Sequence, residues 1–272
     1  MDWLGAVQQL RDLGRPGVLV TVVEVRGHAP RDAGAKMVVG TDQVWGSVGG
    51  GNLEQAAVVR ARAMIDASVA GPETQDSALN EHASNEHGRQ CCGGTVRLLL
   101  EPLAVRPVVA IFGVGHVGHE LARILSRLDL QLHLVDSRPE QLDELRLADV
   151  TDGSADVRVH RAVAGEAVLR QLPPGAHVVV MTHDHAEDLT LCDAALRAPV
   201  LGSIGLIGSA AKWSRFRRRL AEEGHPPEDV ARIACPLGDP AISSKQPAAI
   251  AVGIARALVL ALQEQRAATA PR

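Results

Sequence analysis

Aromatic residues are almost missing from this chain of 272 residues: they make up 2%, with no tyrosine at all. A surface that stacks splayed bases needs aromatic faces, and a nucleic-acid footprint needs a cationic excess. The formal net charge is −4, so neither requirement is met and no nucleic-acid partner is expected. An anionic membrane surface is disfavoured by the same charge. Cysteine is sparse too. Cys91, Cys92, Cys192 and Cys235 are the only four, which in a chain this long suggests reduced cytosolic thiols and not a disulfide framework. The first 13 residues carry Asp2 and a helical periodicity instead of a basic start and an apolar core, so no secretion signal is expected. The most apolar late stretch, residues 247–262, has Arg256 in its middle, which is costly inside a bilayer. It reads as a buried helix, and the expectation is a cytoplasmic protein without a membrane span.

Glycine, by contrast, is plentiful at 26 residues, and one glycine turn organises the chain. The β-branched run 108–112 stops at Gly113, and a helical apolar pattern begins a few residues later, the signature of strand, tight turn and helix. With this much glycine the GxGxxG pattern alone is a weak signal. Its context is stronger, because a second strand ends in Asp136, 23 residues after Gly113, where a dinucleotide fingerprint expects the acceptor for ribose hydroxyls. Gly113 permits the turn, Gly115 lets backbone approach a pyrophosphate, and Gly118 lets the helix lie close on the strand. The alternative is a Rossmann turn kept for packing after its ligand is gone.

Further short strands at 157–160, 176–182 and 199–205 alternate with helical runs, which predicts a doubly wound parallel sheet that binds at the carboxyl ends of its strands. Two loops fall there. In the first, His183 and His185 are placed to reach a ligand, although Asp184 and Glu187 also have capping-box spacing and would simply start a helix. The second precedes the basic helix 212–219, which either meets a partner or phosphate or is a solvated face.

Ahead of this sheet the chain reads as a helix over 2–13, a strong strand over 18–25, and a turn-rich loop over 26–37. Arg31 and Lys36 in that loop are candidate anion contacts, or plain solvated charge. A short hairpin follows over 37–46. Gly49, Gly50 and Gly51 then open a helix to about residue 67, giving either a second anion cradle or positive φ angles before an Asn52 cap. Residues 71–90 are polar and aperiodic: a disordered segment, a lid, or in part a strand. They lead into Cys91-Cys92-Gly93-Gly94. Three readings of the vicinal pair stay open: zinc with His82 and His87, an inert buried pair, or a thiolate acting as soft ligand or nucleophile with Gly93 and Gly94 leaving room. Pro102 and Pro107 separate two domains, 1–104 and 105–272, and the docking of the last helix is open.

Several motifs now coincide. Pro30-Arg31, Gly34-Ala-Lys36-Met37, Ser47-Val-Gly49-Gly50-Gly51 with Leu53-Glu54, Cys91-Cys92-Gly93-Gly94, Gly113-Val-Gly115-His116-Val-Gly118, Thr182-His183-Asp-His185 and Ile204-Gly-Leu-Ile-Gly208 together resemble the XdhC/CoxI family of xanthine dehydrogenase accessory proteins. The resemblance spans nearly the whole chain. It implies an N-terminal family-specific α/β domain followed by a C-terminal Rossmann-type domain. It also implies a cofactor-binding maturation chaperone without turnover of its own, which receives the molybdenum cofactor (molybdopterin), holds it during sulfuration and delivers it to apo xanthine dehydrogenase. The implied partners are that enzyme, a cysteine desulfurase and a second copy of the chain. Carried onto this sequence, Cys91 and Cys92 become candidate molybdenum ligands, since a thiolate is a soft donor. Arg31, Lys36 and the Gly49–Gly51 turn become candidates to hold the pterin's phosphate. Glu54, Gly93, Gly94, His116, His183 and His185 complete the candidate set within the same motifs, and Gly113, Gly115, Gly118 and Asp136 would take a dinucleotide if one is bound. Many relatives carry a cysteine where this chain has Asn52. Two other functions compete: an NAD(P)-dependent oxidoreductase with His183 or His185 as proton donor, and a nucleotide-responsive regulator signalling through the basic helix.

Overall fold

The first element, α1 (Trp3–Asp12), starts where the Asp2 carboxylate accepts a hydrogen bond from the Gly5 N–H at 2.8 Å, an N-cap of the usual kind. The computed structural model describes residues 1–69, 71–78, 94–198 and 200–268. Next come β1 (Gly17–Arg26), β2 (Lys36–Gly40), β3 (Val44–Gly46), α2 (Gly51–Asp66), β4 (Glu73–Ala78) and β5 (Thr95–Leu103). These strands form one antiparallel sheet in the order β3-β2-β1-β5-β4. Successive side chains of a strand point to opposite faces. Val18, Val20, Val22, Met37 and Val39 therefore bury against Leu53, Ala57, Ala61 and Met64 of α2, while Val38 buries against Ala6 and Leu10 of α1 on the other face.

Strand β4 decides among the readings of the polar stretch after residue 70. Residues 73–78 pair with β5, from Glu73 opposite Leu100 to Ala78 opposite Thr95. Periodicity hides this strand because it lies at the sheet edge and carries charge. Glu73 is bound through both oxygens by Arg60 of α2, and Asp76 likewise by Arg97 of β5. Polar, charged edges of this kind also protect a sheet from unwanted pairing. The remainder of that stretch lies outside the described residues.

The chain divides into two compact units, Met1–Val105 together with Arg266–Arg272, and Arg106–Gln265, which holds the last helix up to Gln265. The second contains β6 (Val108–Phe112), α3 (His116–Leu125), β7 (Gln131–Asp136), α4 (Glu144–Thr151), β8 (Asp156–Arg161), α5 (Gly165–Leu169), β9 (His177–Val180), α6 (His185–Arg197), β10 (Ser203–Leu206), α7 (Ala210–Glu222), α8 (Pro227–Val230), β11 (Ile233–Ala234) and α9 (Pro247–Ala268). Its six strands are all parallel in the order β11-β10-β9-β6-β7-β8. Read from β8, this is the 3-2-1-4-5-6 order of the dinucleotide-binding fold. Every residue of the central strands β6 and β7 is buried, as expected for a sheet covered by helices on both faces. The open question of α9 resolves in favour of this sheet. Ala251, Ile254, Ala255, Leu258 and Leu262 pack with Leu121, Ala122 and Leu125 of α3, and Gln265 Oε1 lies 2.9 Å from His177 Nε2.

Two histidines on adjacent strands should make this unit acid-sensitive. The rings of His133 and His160 stack with centroids 5.0 Å apart, and His133 pairs with Gln131 Oε1 at 3.0 Å. Burial, with further contributions from His160 and Arg158 and against the pull of Asp156, pushes the His133 pKa down to about 4. An unfolded histidine titrates near 6.5, so between the two values the unfolded chain takes up a proton that the folded one does not. The neutral ring's contribution, about 3 kcal/mol at full extent, is present above pH 6.5 and lost as pH falls towards 4. His133→Gln should flatten the fall in urea midpoint between pH 7.5 and pH 4.5. Parallel curves for the variant and the parent chain would disprove the assignment.

Candidate functional site

In the first unit the turn into α2 runs through three residues that all have positive φ, Gly49 at 138°, Gly50 at 72° and Gly51 at 58°, a path that side chains other than glycine rarely follow. Gly50, not Asn52, occupies the N-cap, without a side-chain cap. The N–H groups of Val48, Gly49 and Gly50 are taken by the chain itself. Glu54 Oε2 accepts from Ser47 Oγ at 2.5 Å, Val48 N at 3.2 Å and Gly50 N at 3.1 Å, and Gly49 N donates to Ser47 Oγ at 3.2 Å. The anion in this cradle is therefore an internal carboxylate.

Three of the sequence motifs meet around the loop that links β1 to β2. A Cβ placed on Gly49 would lie 3.4 Å from the Pro30 ring, and one on Gly94 would lie 2.3 Å from His28 O and 2.7 Å from Arg26 O. Only glycine allows backbone to approach backbone this closely. Arg31, next to Pro30, is exposed. Lys36 stands apart: on β2 it shares the face of Val38, opposite α2. Its Nζ donates to Thr21 Oγ1 at 3.0 Å and sits 5.4 Å from the Trp3 ring centroid, so α1 and β1 hold it away from the glycine turn. Cys91, Cys92 and Gly93, with His82 and His87, lie outside the described residues. Among the described residues no three His, Cys, Asp or Glu side chains gather as a metal ion requires.

In the second unit three loops meet at the carboxyl ends of β6, β9 and β10, where β6 and β9 form the switch point of the strand order. A Cβ on Gly113, whose φ is +101°, would come 2.3 Å from Met181 O, and one on Gly118 would come 2.1 Å from Gly113 O. The first glycine lets the β6 and β9 loops touch, and the second seats α3 on the strand. Gly115 differs. Only Arg138 Nη2, at 3.8 Å, approaches its missing side chain. His116, the first residue of α3, is exposed.

Asp136 ends β7 with 2% of its side chain exposed. Its Oδ2 accepts from Val114 N at 2.7 Å and Arg138 Nη2 at 2.9 Å, and its Oδ1 from Arg138 N at 2.9 Å and Arg138 Nε at 3.0 Å. Burial opposes ionisation of this group. The hydrogen bonds from Arg138 and Val114, with the guanidinium charge, outweigh burial and hold Asp136 below the usual carboxylate range.

After β9, Asp184 caps α6 by accepting from Ala186 N at 2.7 Å. The reciprocal half of a capping box is missing, because Asp184 N donates to Thr182 Oγ1 at 3.2 Å and not to Glu187. His183 and His185 are exposed, with His183 Nδ1 at 3.9 Å from Glu187 Oε2. Burial raises the Glu187 pKa, His183 counters this, and the Asp136 and Asp188 charges push it up further.

Two buried charged side chains beside this site escape sequence reasoning. Lys212 is buried, not part of a solvated basic face, and its Nζ donates to Asp188 Oδ2 and to Ile207 O. Asp188, fully buried, accepts from Thr182 N at 2.9 Å and Thr182 Oγ1 at 2.8 Å. The pair thus ties the loop after β9 to the loop after β10. A signal for it exists in the helical spacing: Asp188 leads the buried series Leu191, Cys192, Ala195 and Leu196, and Lys212 leads Phe216 and Leu220. A charge at the head of a core stripe asks for a buried partner. The arginines that follow, Arg215, Arg217, Arg218 and Arg219, are exposed.

The profile described as the XdhC Rossmann domain matches residues 109–257, more than half of the chain, and that of the XdhC and CoxI family matches residues 10–75. The chain belongs to the XdhC family. This XdhC-family chain is 26% identical over 251 residues to PaoD of Escherichia coli K12, a molybdenum cofactor insertion chaperone, with 83% of this chain and 77% of PaoD covered. It is 24% identical over 251 residues to YqeB of the same organism, covering 90% of this chain but 43% of YqeB, so it spans less than half of that relative. A Bacillus halodurans structure described as a xanthine dehydrogenase superposes with a TM-score of 0.49 at 19% identity, covering 97% of each chain. The XdhC profiles include Arg31, the Gly49–Gly51 turn and the loops of the parallel sheet, while Cys91–Gly94 falls between the two matched segments.

Proposed function

We propose that this chain is a maturation chaperone for a molybdoenzyme: it binds the molybdenum cofactor, holds it while its terminal sulfur is installed, and delivers it to an apo enzyme of the xanthine dehydrogenase kind. The observation that carries the reading is family membership across both units, together with likeness to PaoD over 83% of the chain. The partners in this reading are the acceptor enzyme, a cysteine desulfurase that supplies the sulfur, and a second copy of the chain, all in the cytoplasm.

The described residues fit such a group at its anionic end. Arg31 is an exposed cation without an ion pair among the described residues, next to the proline that touches the glycine turn. Gly94, pinned on the His28 and Arg26 carbonyls, belongs to the same loop cluster. In the sequence Cys92 stands two residues before Gly94. A thiolate at Cys92 suits a soft metal or its dithiolene sulfurs, and Arg31 suits a phosphate. When bound, the cofactor supplies the redox metal that the acceptor enzyme uses. The chain's own work is to hold it and exclude solvent.

Loading purified protein with molybdenum cofactor, removing excess, then denaturing it should release pterin fluorescence and molybdenum in near-equal amounts. Cys92→Ala should retain less than about a tenth, the cost of losing one strong ligand contact. Failure of the intact chain to retain either component would refute the proposal.

A further inference from the structure

The strand order and glycine turn of the second unit imply an adenine dinucleotide, yet the residues at the turn do not fit one. We propose that Arg138 closes the ribose subsite of this Rossmann turn, making it the residue that determines whether the fold accepts a dinucleotide. In a dinucleotide site the acid at the end of the second strand presents its carboxylate to two ribose hydroxyls. A carboxylate offers about four acceptor positions. At Asp136 all four are filled, two on each oxygen, by Val114 N and by the Arg138 backbone N, Nε and Nη2.

Burial points the same way. With 2% of its side chain exposed, Asp136 has no edge for a sugar to contact. The cover is a neighbour only two residues along the chain, and its guanidinium also lies 3.8 Å from where a Gly115 Cβ would sit. The group that blocks the ribose thus also stands beside the backbone that a pyrophosphate would approach. The bidentate Arg–carboxylate pair is the strong, planar kind, and no ribose hydroxyl replaces it on equal terms. An arginine that reads a 2′-phosphate has to face the ligand, whereas this one faces the acid.

Titration of the intact chain with NAD+, NADH and NADP+, followed by calorimetry and NADH fluorescence, should show no saturable binding in the micromolar range. Arg138→Ala should uncover Asp136 and tighten NAD(H) by about tenfold or more, the worth of a hydrogen bond to a charged group. Adding Asp136→Ala should abolish that gain, which a merely structural role for Arg138 would not produce. Arg138→Gln serves if the alanine variant melts early, with the same outcomes. Micromolar binding of NAD(H) or NADP+ by the intact chain overturns the proposal, and so does a folded Arg138 variant that gains nothing.

Discussion

Lys212→Met should lower the stability of the Rossmann unit by about 3–5 kcal/mol, the usual cost of stranding one member of a buried ion pair. Methionine keeps most of the lysine's apolar stem and removes the ammonium, which also lies 5.2 Å from the Phe216 ring centroid, so the loss reports on the charge. Asp188 would then be fully buried with only Thr182 N and Oγ1 as donors, and the Ile207 carbonyl would lose the donor it has at 3.0 Å. For a unit of this size the change corresponds to a fall of about 10 °C or more in melting temperature. Combining Lys212→Met with Asp188→Leu should recover part of the loss, since an apolar pair of similar volume often replaces a buried ion pair at little cost. Recovery stays partial because Thr182 N is left without its acceptor. Urea melts followed by circular dichroism decide the matter, and a single-variant loss below about 1 kcal/mol would mean that water already reaches the pair.

Gly118→Ala should be at least as damaging as most overpacking changes, with a loss of about 3 kcal/mol or no folded Rossmann unit at all. The new methyl would lie 2.1 Å from the Gly113 carbonyl oxygen and 3.3 Å from Met181 Sδ. Backbone cannot yield as a flexible side chain does, so α3 would have to lift from β6. That movement would undo the packing of Leu121, Ala122 and Leu125, each fully buried. Gly115→Ala provides the contrast within the same motif. Its φ is −68° and its side-chain space is open apart from Arg138, so stability should stay within about 0.5 kcal/mol of the parent. Equal losses in the two variants would show that the turn, not the helix contact, sets the cost.

This contrast shows what a one-dimensional reading captures. The roles of Gly113 and Gly118 are legible because a strand that stops at a glycine and resumes as a helix has few geometric solutions. Asp136 is legible as the acid at the end of β7, but its partner is not, since Arg138 looks like any charged loop residue until the hydrogen bonds are seen. Lys36 is misleading for a related reason. It sits in a cationic loop in the sequence, yet strand register places it on the α1 face. β4 hides because none of its six residues is buried, so the strand needs no apolar alternation. Asp188 and Lys212 hide because a basic run is read as a surface, and only the helical spacing of Phe216 and Leu220 shows which member turns inward.

The carboxylate of Glu54 in the turn before α2 has a further consequence. Any phosphate that enters there meets a tethered rival, present at the high effective concentration of an intramolecular group. Simple inorganic anions should lose that contest. A ligand that also engages Arg31 evicts the rival, so admission depends on carrying several recognisable parts at once, a filter against the free phosphate of the cell.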